Sequence, residues 1–194
     1  MQVFAEAGGQ VVPNARIKDL RLGVDPSDKR LVEFSVYGLP LYRGVPLLCD
    51  STQGSPLHVD GKPHPHTCTE DGATCSRLEK PKNSTYAEVV QSSGYKLVTL
   101  ACEVGGRWSD TTCQLLRDLA KEKSQSAPPR LRRSTAFAWE NRWWGMLSVA
   151  AQNAFAATLV DDAPHLLHAW EGSDPPLGVL LHGEAPTESR LPLR

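Results

Sequence analysis

The chain of 194 residues is long enough for one domain with a real core, and its 40% apolar content fits a globular protein. A net charge of −1 excludes a global attraction to nucleic acid, so any such surface has to be a local basic patch. No apolar run reaches membrane-spanning length and the amino terminus lacks a signal-like segment, which together predict a soluble, intracellular protein.

In chain order, the first 28 residues are mixed, with a helix or strand around 15–22. Residues 31–37 and 45–52 are β-rich and joined by a Gly/Pro-containing connection, a hairpin-like signal. Residues 53–72 are polar and turn-rich and predict a surface loop. Residues 73–90 have helical spacing, with Leu78, Lys82, Tyr86 and Val89 or Val90 on one side. Pro81 lies inside this run, where its missing donor predicts a kink or a late start.

Residues 95–104 form the clearest strand, continuous and apolar as in a strand covered on both faces. A helix follows from an N-cap at Ser109, with Cys113, Leu115, Leu116 and Leu119 facing inward. Residues 124–130 read as a linker. Residues 131–160 read as a long helix with Trp139, Trp143 and Leu147 on one side, and 161–194 as an irregular tail. The core therefore spans 1–123, and the long helix packs on it. A helix between two strands implies a crossover to a parallel neighbour, so the fold class is α/β.

Five Cys, two of them (Cys49 and Cys102) inside apolar runs, point to free thiols in a reducing compartment. Three groups of residues could carry chemistry. Glu33, Asp50, Glu79, Lys82, Tyr86 and Glu103 lie in or beside the strand–strand–helix–strand core. Carboxylates on neighbouring strands could share a hard cation such as Mg²⁺, with a nearby Lys stabilising charge on a phosphate. Spacing alone favours the plainer account, in which Glu33 and Glu103 close strand ends and Asp50 opens a turn.

The second group is His64, His66, Cys68 and Cys75, with His58 nearby. These are zinc-type ligands, but in no familiar spacing, and a solvated loop is the favoured account. The third is an aromatic and basic stretch, "PPRLRR" followed by "AWENRWWGM", which could bind a single strand by stacking and charge. Helical periodicity explains its Trp residues better as a packing seam. No Gly-rich phosphate loop or Gly-x-Ser-x-Gly elbow is present.

Four blocks, "VVPNARIKDLRLGV", "RLVEFSVYGLPLYRGVPLLCDSTQGSPL", "DGATCSRLEKPKNSTYAEV" and "LVTLACEVGGRWSDTTCQLLRDLA", carry a resemblance across about residues 5–160. The chain resembles the carboxy-terminal region of non-LTR-retrotransposon-like reverse transcriptase polyproteins of protists, which holds a restriction-like endonuclease of the PD-(D/E)XK type. The resemblance implies a mixed sheet flanked by helices, Mg²⁺- or Mn²⁺-dependent DNA nicking, and a reverse transcriptase module in the same polyprotein. It implies nuclear action in retrotransposition.

Residue by residue, it makes Glu33 and Asp50 the metal ligands, in a segment where Val32 stands in place of the usual proline. Thr52 occupies the position that often carries Lys. The Lys-x-x-x-Tyr of the retroelement branch falls on Lys82 and Tyr86, whose spacing puts both on one helical face. A fold that survives as an inactive binding or scaffold module, or a small zinc-stabilised domain, are the alternatives.

Overall fold

A computed structural model describes residues 1–161. Its centre is a four-stranded mixed sheet of β1 (Gln10–Arg16), β2 (Leu31–Tyr37), β3 (Leu47–Gly54) and β4 (Lys96–Glu103) in the order β1-β2-β3-β4. The first two pairings are antiparallel, and β3 pairs in parallel with β4. A parallel neighbour cannot be reached by a tight turn. The chain between β3 and β4 accordingly carries two helices, α2 (Ala73–Thr85) and α3 (Ala87–Gln91). The expected α/β class, crossover and long final helix are all present.

The strands at the centre are apolar on both sides because helices cover both faces. On one face Phe34, Val36, Leu47, Cys49, Val98 and Leu100 pack against α1 (Gln2–Glu6), α4 (Asp110–Ser124) and α5 (Arg132–Asp161). On the other, Val32, Leu48 and Leu97 pack against Tyr86 and Val89 and against Ile17 and Leu20 of a short 3₁₀ turn. Residues 1–155 make up one compact unit. Of the second unit, 156–194, the described part is the last turns of α5, and the expected tail lies from residue 162 onward outside the described residues.

Local rules account for several boundaries. The N–H of Thr112 donates to Ser109 Oγ at 3.2 Å, so Ser109 caps α4 as its sequence position predicts. Cys113, expected inside, is only half-buried. Two elements were not anticipated: α1 and the edge strand β1, whose burial pattern is largely exposed and which contains Pro13. An edge strand tolerates proline because one side of its ladder is free.

Pro81, expected to kink or delay the helix, does not break α2, which runs four residues beyond it. The break comes at Tyr86, with φ −114° and ψ 40°. Among the described residues no helix is long and apolar enough to cross a membrane.

α5 is fixed chiefly by Trp143, which is completely buried and whose indole N–H donates to Glu6 Oε2 at 3.0 Å. Arg142 adds two hydrogen bonds to the same carboxylate, at 2.9 and 2.7 Å. The Trp139 and Trp143 rings stand 5.4 Å apart. Packing therefore absorbs the aromatic part of the basic stretch.

Trp143→Ala is expected to destabilise the protein by about 3–5 kcal/mol in denaturant titrations, the range for emptying a large aromatic site. Hydrogen bonds from Arg142 and Trp143 lower the Glu6 carboxyl to about 2. A depressed carboxylate contributes stability above its unfolded value near 4.5 and loses that contribution as pH falls toward 2. Glu6→Gln should therefore flatten the acid limb of the stability–pH curve in that window while leaving its slope near pH 7 unchanged.

Candidate functional site

β3 emerges from its pairing with β2 at Asp50. The last antiparallel pair is Phe34 with Cys49, so Glu33 and Asp50 leave adjacent strands one step beyond it. Asp50 is only 3% exposed. A carboxylate in that position demands an answering charge. Lys82 Nζ supplies it, 2.9 Å from Asp50 Oδ2, with a third of the lysine side chain still open to solvent.

The face of α2 that delivers Lys82 follows from its i, i+4 spacing. One turn earlier, Leu78 packs on Gly54, where a Cβ would come within 2.8 Å of Leu78 Cδ2. One turn later, Tyr86 donates its phenolic hydrogen to the Leu31 carbonyl at 2.6 Å. The helix thus runs along the end of β3 and is tied to β2. Arg30 secures the same junction by pairing with Asp28 at 2.6 Å and Glu88 at 2.8 Å, and by bonding the Thr85 carbonyl. Burial first, and then the Asp50 carboxylate, pushes the Tyr86 phenol up to about 12. Tyr86 is therefore a neutral hydrogen-bond donor at physiological pH, not an acid that gives up its proton.

Glu33 is an exposed residue and takes its hydrogen bonds from Ser51 Oγ, at 2.6 and 2.8 Å. Strand alternation turns Ser51 and Gln53 to the side opposite Asp50. Gln53 indeed reaches the Ala151 carbonyl of α5 at 3.2 Å, whereas Gly54, on the Asp50 side, meets α2. Lys82 and Asp50 are thus in direct contact and Tyr86 closes the same junction, whereas Glu33, expected to share a cation with Asp50, is bonded to Ser51 on the opposite side of the sheet.

The remaining carboxylates lie elsewhere. Glu103 pairs across the sheet with Gly54, four positions along from the Asp50 pair, and its N–H donates to the Arg107 carbonyl. Glu79 has a buried Oε1 without a partner among the described residues and lines a cavity of about 290 Å³ with Cys75, Arg107 and Asp71. One residue that sequence inspection passed over belongs beside Asp50. Thr99 is its parallel register partner, and the only signal for it was a hydroxyl inside an otherwise apolar strand.

The possible zinc set does not converge. His66 pairs with Glu70 at 3.0 Å, His64 stacks on His58 with centroids 3.6 Å apart, and Cys68 is exposed. Cys75 is buried, with its thiol against the Ala101 and Arg107 carbonyls, and burial pushes it up to about 11. Metal binding needs the thiolate, which that environment disfavours. Among the described residues no three His, Cys, Asp or Glu side chains are grouped to hold a metal ion. The chain matches no protein-family model, and neither a curated protein nor a solved structure is detectably similar to it.

The Asp50–Lys82 contact predicts a specific pattern of stabilities. Lys82→Met should cost about 3–5 kcal/mol by leaving a buried carboxylate unanswered, and adding Asp50→Asn should restore most of the loss. A double-mutant cycle in denaturant measures both.

Proposed function

We propose that this chain is a divalent-cation-dependent DNA endonuclease domain of the restriction-like, PD-(D/E)XK type. The observation that carries the proposal is the buried Asp50–Lys82 pair midway along the central strand β3, with Tyr86 on the same helix face. A mixed sheet flanked by helices, with its third and fourth strands parallel, supports the same reading. On it, the substrate is DNA, the partner is a reverse transcriptase module of the same polyprotein, and the place of action is the nucleus.

The residues present supply little of a Mg²⁺ or Mn²⁺ site, since Asp50 is already paired with Lys82 and no three ligand-type side chains are grouped among the described residues. Both cations take oxygen ligands, and Mg²⁺ in particular is held through one or two carboxylates with several waters kept. Of Asp50 and Glu33, Asp50 alone offers a carboxylate on the α2 side of the sheet, since Glu33 bonds Ser51 on the opposite side, and the Thr99 hydroxyl, without a partner among the described residues, stands beside Asp50. The reaction adds water across one P–O bond and yields a phosphate monoester and a free hydroxyl.

In this scheme Asp50 fixes the position of positive charge where β3 leaves its pairing with β2. Lys82, held on a helix and partly open to solvent, places an ammonium where charge develops on the phosphate. Tyr86 keeps its proton and holds the end of α2 to β2. Glu33, expected as the second metal ligand, is bonded to Ser51 on the other side of the sheet and takes no part in this scheme.

Two observations favour a second reading, a nuclease fold that serves only as a binding or scaffold module. Lys82 already neutralises Asp50, and Glu33 is occupied by Ser51. Plasmid nicking in Mg²⁺ or Mn²⁺ separates the two. The nuclease reading expects nicking by the wild type, none by Asp50→Ala, and a loss on the order of 100-fold in Lys82→Ala. A folded wild-type protein that does not nick supports the binding module.

A further inference from the structure

The 3₁₀ turn Pro129–Leu131 runs directly into α5, so Arg130 stands one turn before Arg133 and Phe137 one turn after it. All three are exposed, as is Arg132. At 66%, Phe137 is the most exposed aromatic ring among the described residues. It lies two positions from Trp139, about 200° away round a helix of 3.6 residues per turn. That puts it opposite the side on which Trp139 and Trp143 meet the core.

The charge here is one-sided. Residues 123–139 hold Lys123, Arg130, Arg132 and Arg133 and no acidic residue, in a chain whose net charge is −1. Arg130 and Arg133 make no ion pair among the described residues, and Arg132 donates its Nε–H to the Ala127 carbonyl at 3.2 Å. Local helix physics does not account for these guanidinium groups. Lys121 and Lys123 close α4, the end where the helix dipole favours cations, and Lys123 also covers the Trp139 ring at 5.4 Å. Arg132 and Arg133 open α5, the end where the dipole opposes them, with no acidic residue in its first turn.

An exposed ring by itself is ordinary on a protein surface. A ring set among guanidinium groups on one face has both parts of a single-strand platform, a flat surface for a base and charges for the flanking phosphates. A membrane surface fits less well, because a helix lying among headgroups keeps its apolar and basic residues on separate faces. Arg133 and Phe137 share one.

We propose that Arg130, Arg132, Arg133 and Phe137 form a binding surface for single-stranded nucleic acid, the ring stacking on a base and the guanidinium groups pairing with phosphates. α5 covers the sheet face opposite α2, so this surface is separate from the Asp50–Lys82 pair and does not rest on the nuclease reading.

The test is the fluorescence anisotropy of labelled oligothymidine with the full chain in chelator at several salt concentrations, with thermal unfolding of the same samples. Binding is expected and should weaken with salt. Arg130→Gln, Arg132→Gln and Arg133→Gln together should reduce the slope of log affinity against log salt by about 2, since each single-strand phosphate contributes about 0.7. Phe137→Ala should weaken binding about tenfold without changing that slope, and Phe137→Tyr, which keeps the ring, should bind like the wild type. Midpoints of all variants should match the wild type. Absence of binding by the folded wild-type chain overturns the proposal, as does an unaltered affinity and slope in the triple variant. Wild-type affinity in Phe137→Ala overturns it as a single-strand surface, and weakened binding that tracks lowered midpoints overturns it in favour of packing. Tighter binding to phosphatidylserine vesicles than to oligothymidine overturns it in favour of a membrane. A chain that binds as described but does not nick plasmid keeps this surface and loses the nuclease reading.

Discussion

A carboxylate buried in the middle of a sheet is tolerable only when an opposite charge reaches it, and in this protein that requirement organises the elements around Asp50. The answering ammonium belongs to Lys82, on the crossover between the two parallel strands. To bring it there, α2 has to lie close against β3, pass Pro81 without breaking, and end where Tyr86 can grip β2. The parallel pairing, the helix between its strands and the clamp formed by Arg30 all serve that one contact. Burying such a pair is a poor way to gain stability, since apolar residues of similar volume would do as well or better.

Much of this was legible from sequence. Apolar β4, the capped α4 and the helix between two strands were strong local signals. The helical spacing of Leu78, Lys82 and Tyr86 placed three side chains that do face the sheet together. What escaped notice was set by tertiary context. β1 is an exposed edge with a proline, so its strand character comes from pairing with β2 rather than from its own pattern. The helix end at Tyr86 is imposed by contacts with β2 and the Arg30 turn, whereas Pro81, the obvious breaker, faces solvent.

Gly54 shows how a local weakness can be a tertiary requirement. Within β3 it removes a side chain and loosens the strand. Against α2 it provides the gap that Leu78 fills, and so sets the height at which the helix crosses the strand. Thr99 is the reverse case, a residue whose β-branched shape hides it in a strand-like run until its register partner is known.

The alternation along β3 has a consequence for how the protein can change in length. Asp50 and Gly54 address α2, while Cys49 and Gln53 address the layer of α4 and α5 and Ser51 turns to Glu33 on that same side. Adding or losing one residue within the strand would exchange these two sets. The charge would be driven into the apolar layer, and the hydroxyl would be set before Lys82. β3 is thus intolerant of single-residue indels, even where each residue could be substituted. Growth or shrinkage has to be absorbed outside it, and the polar segment 55–72, which joins β3 to α2 over the surface, is the place with slack.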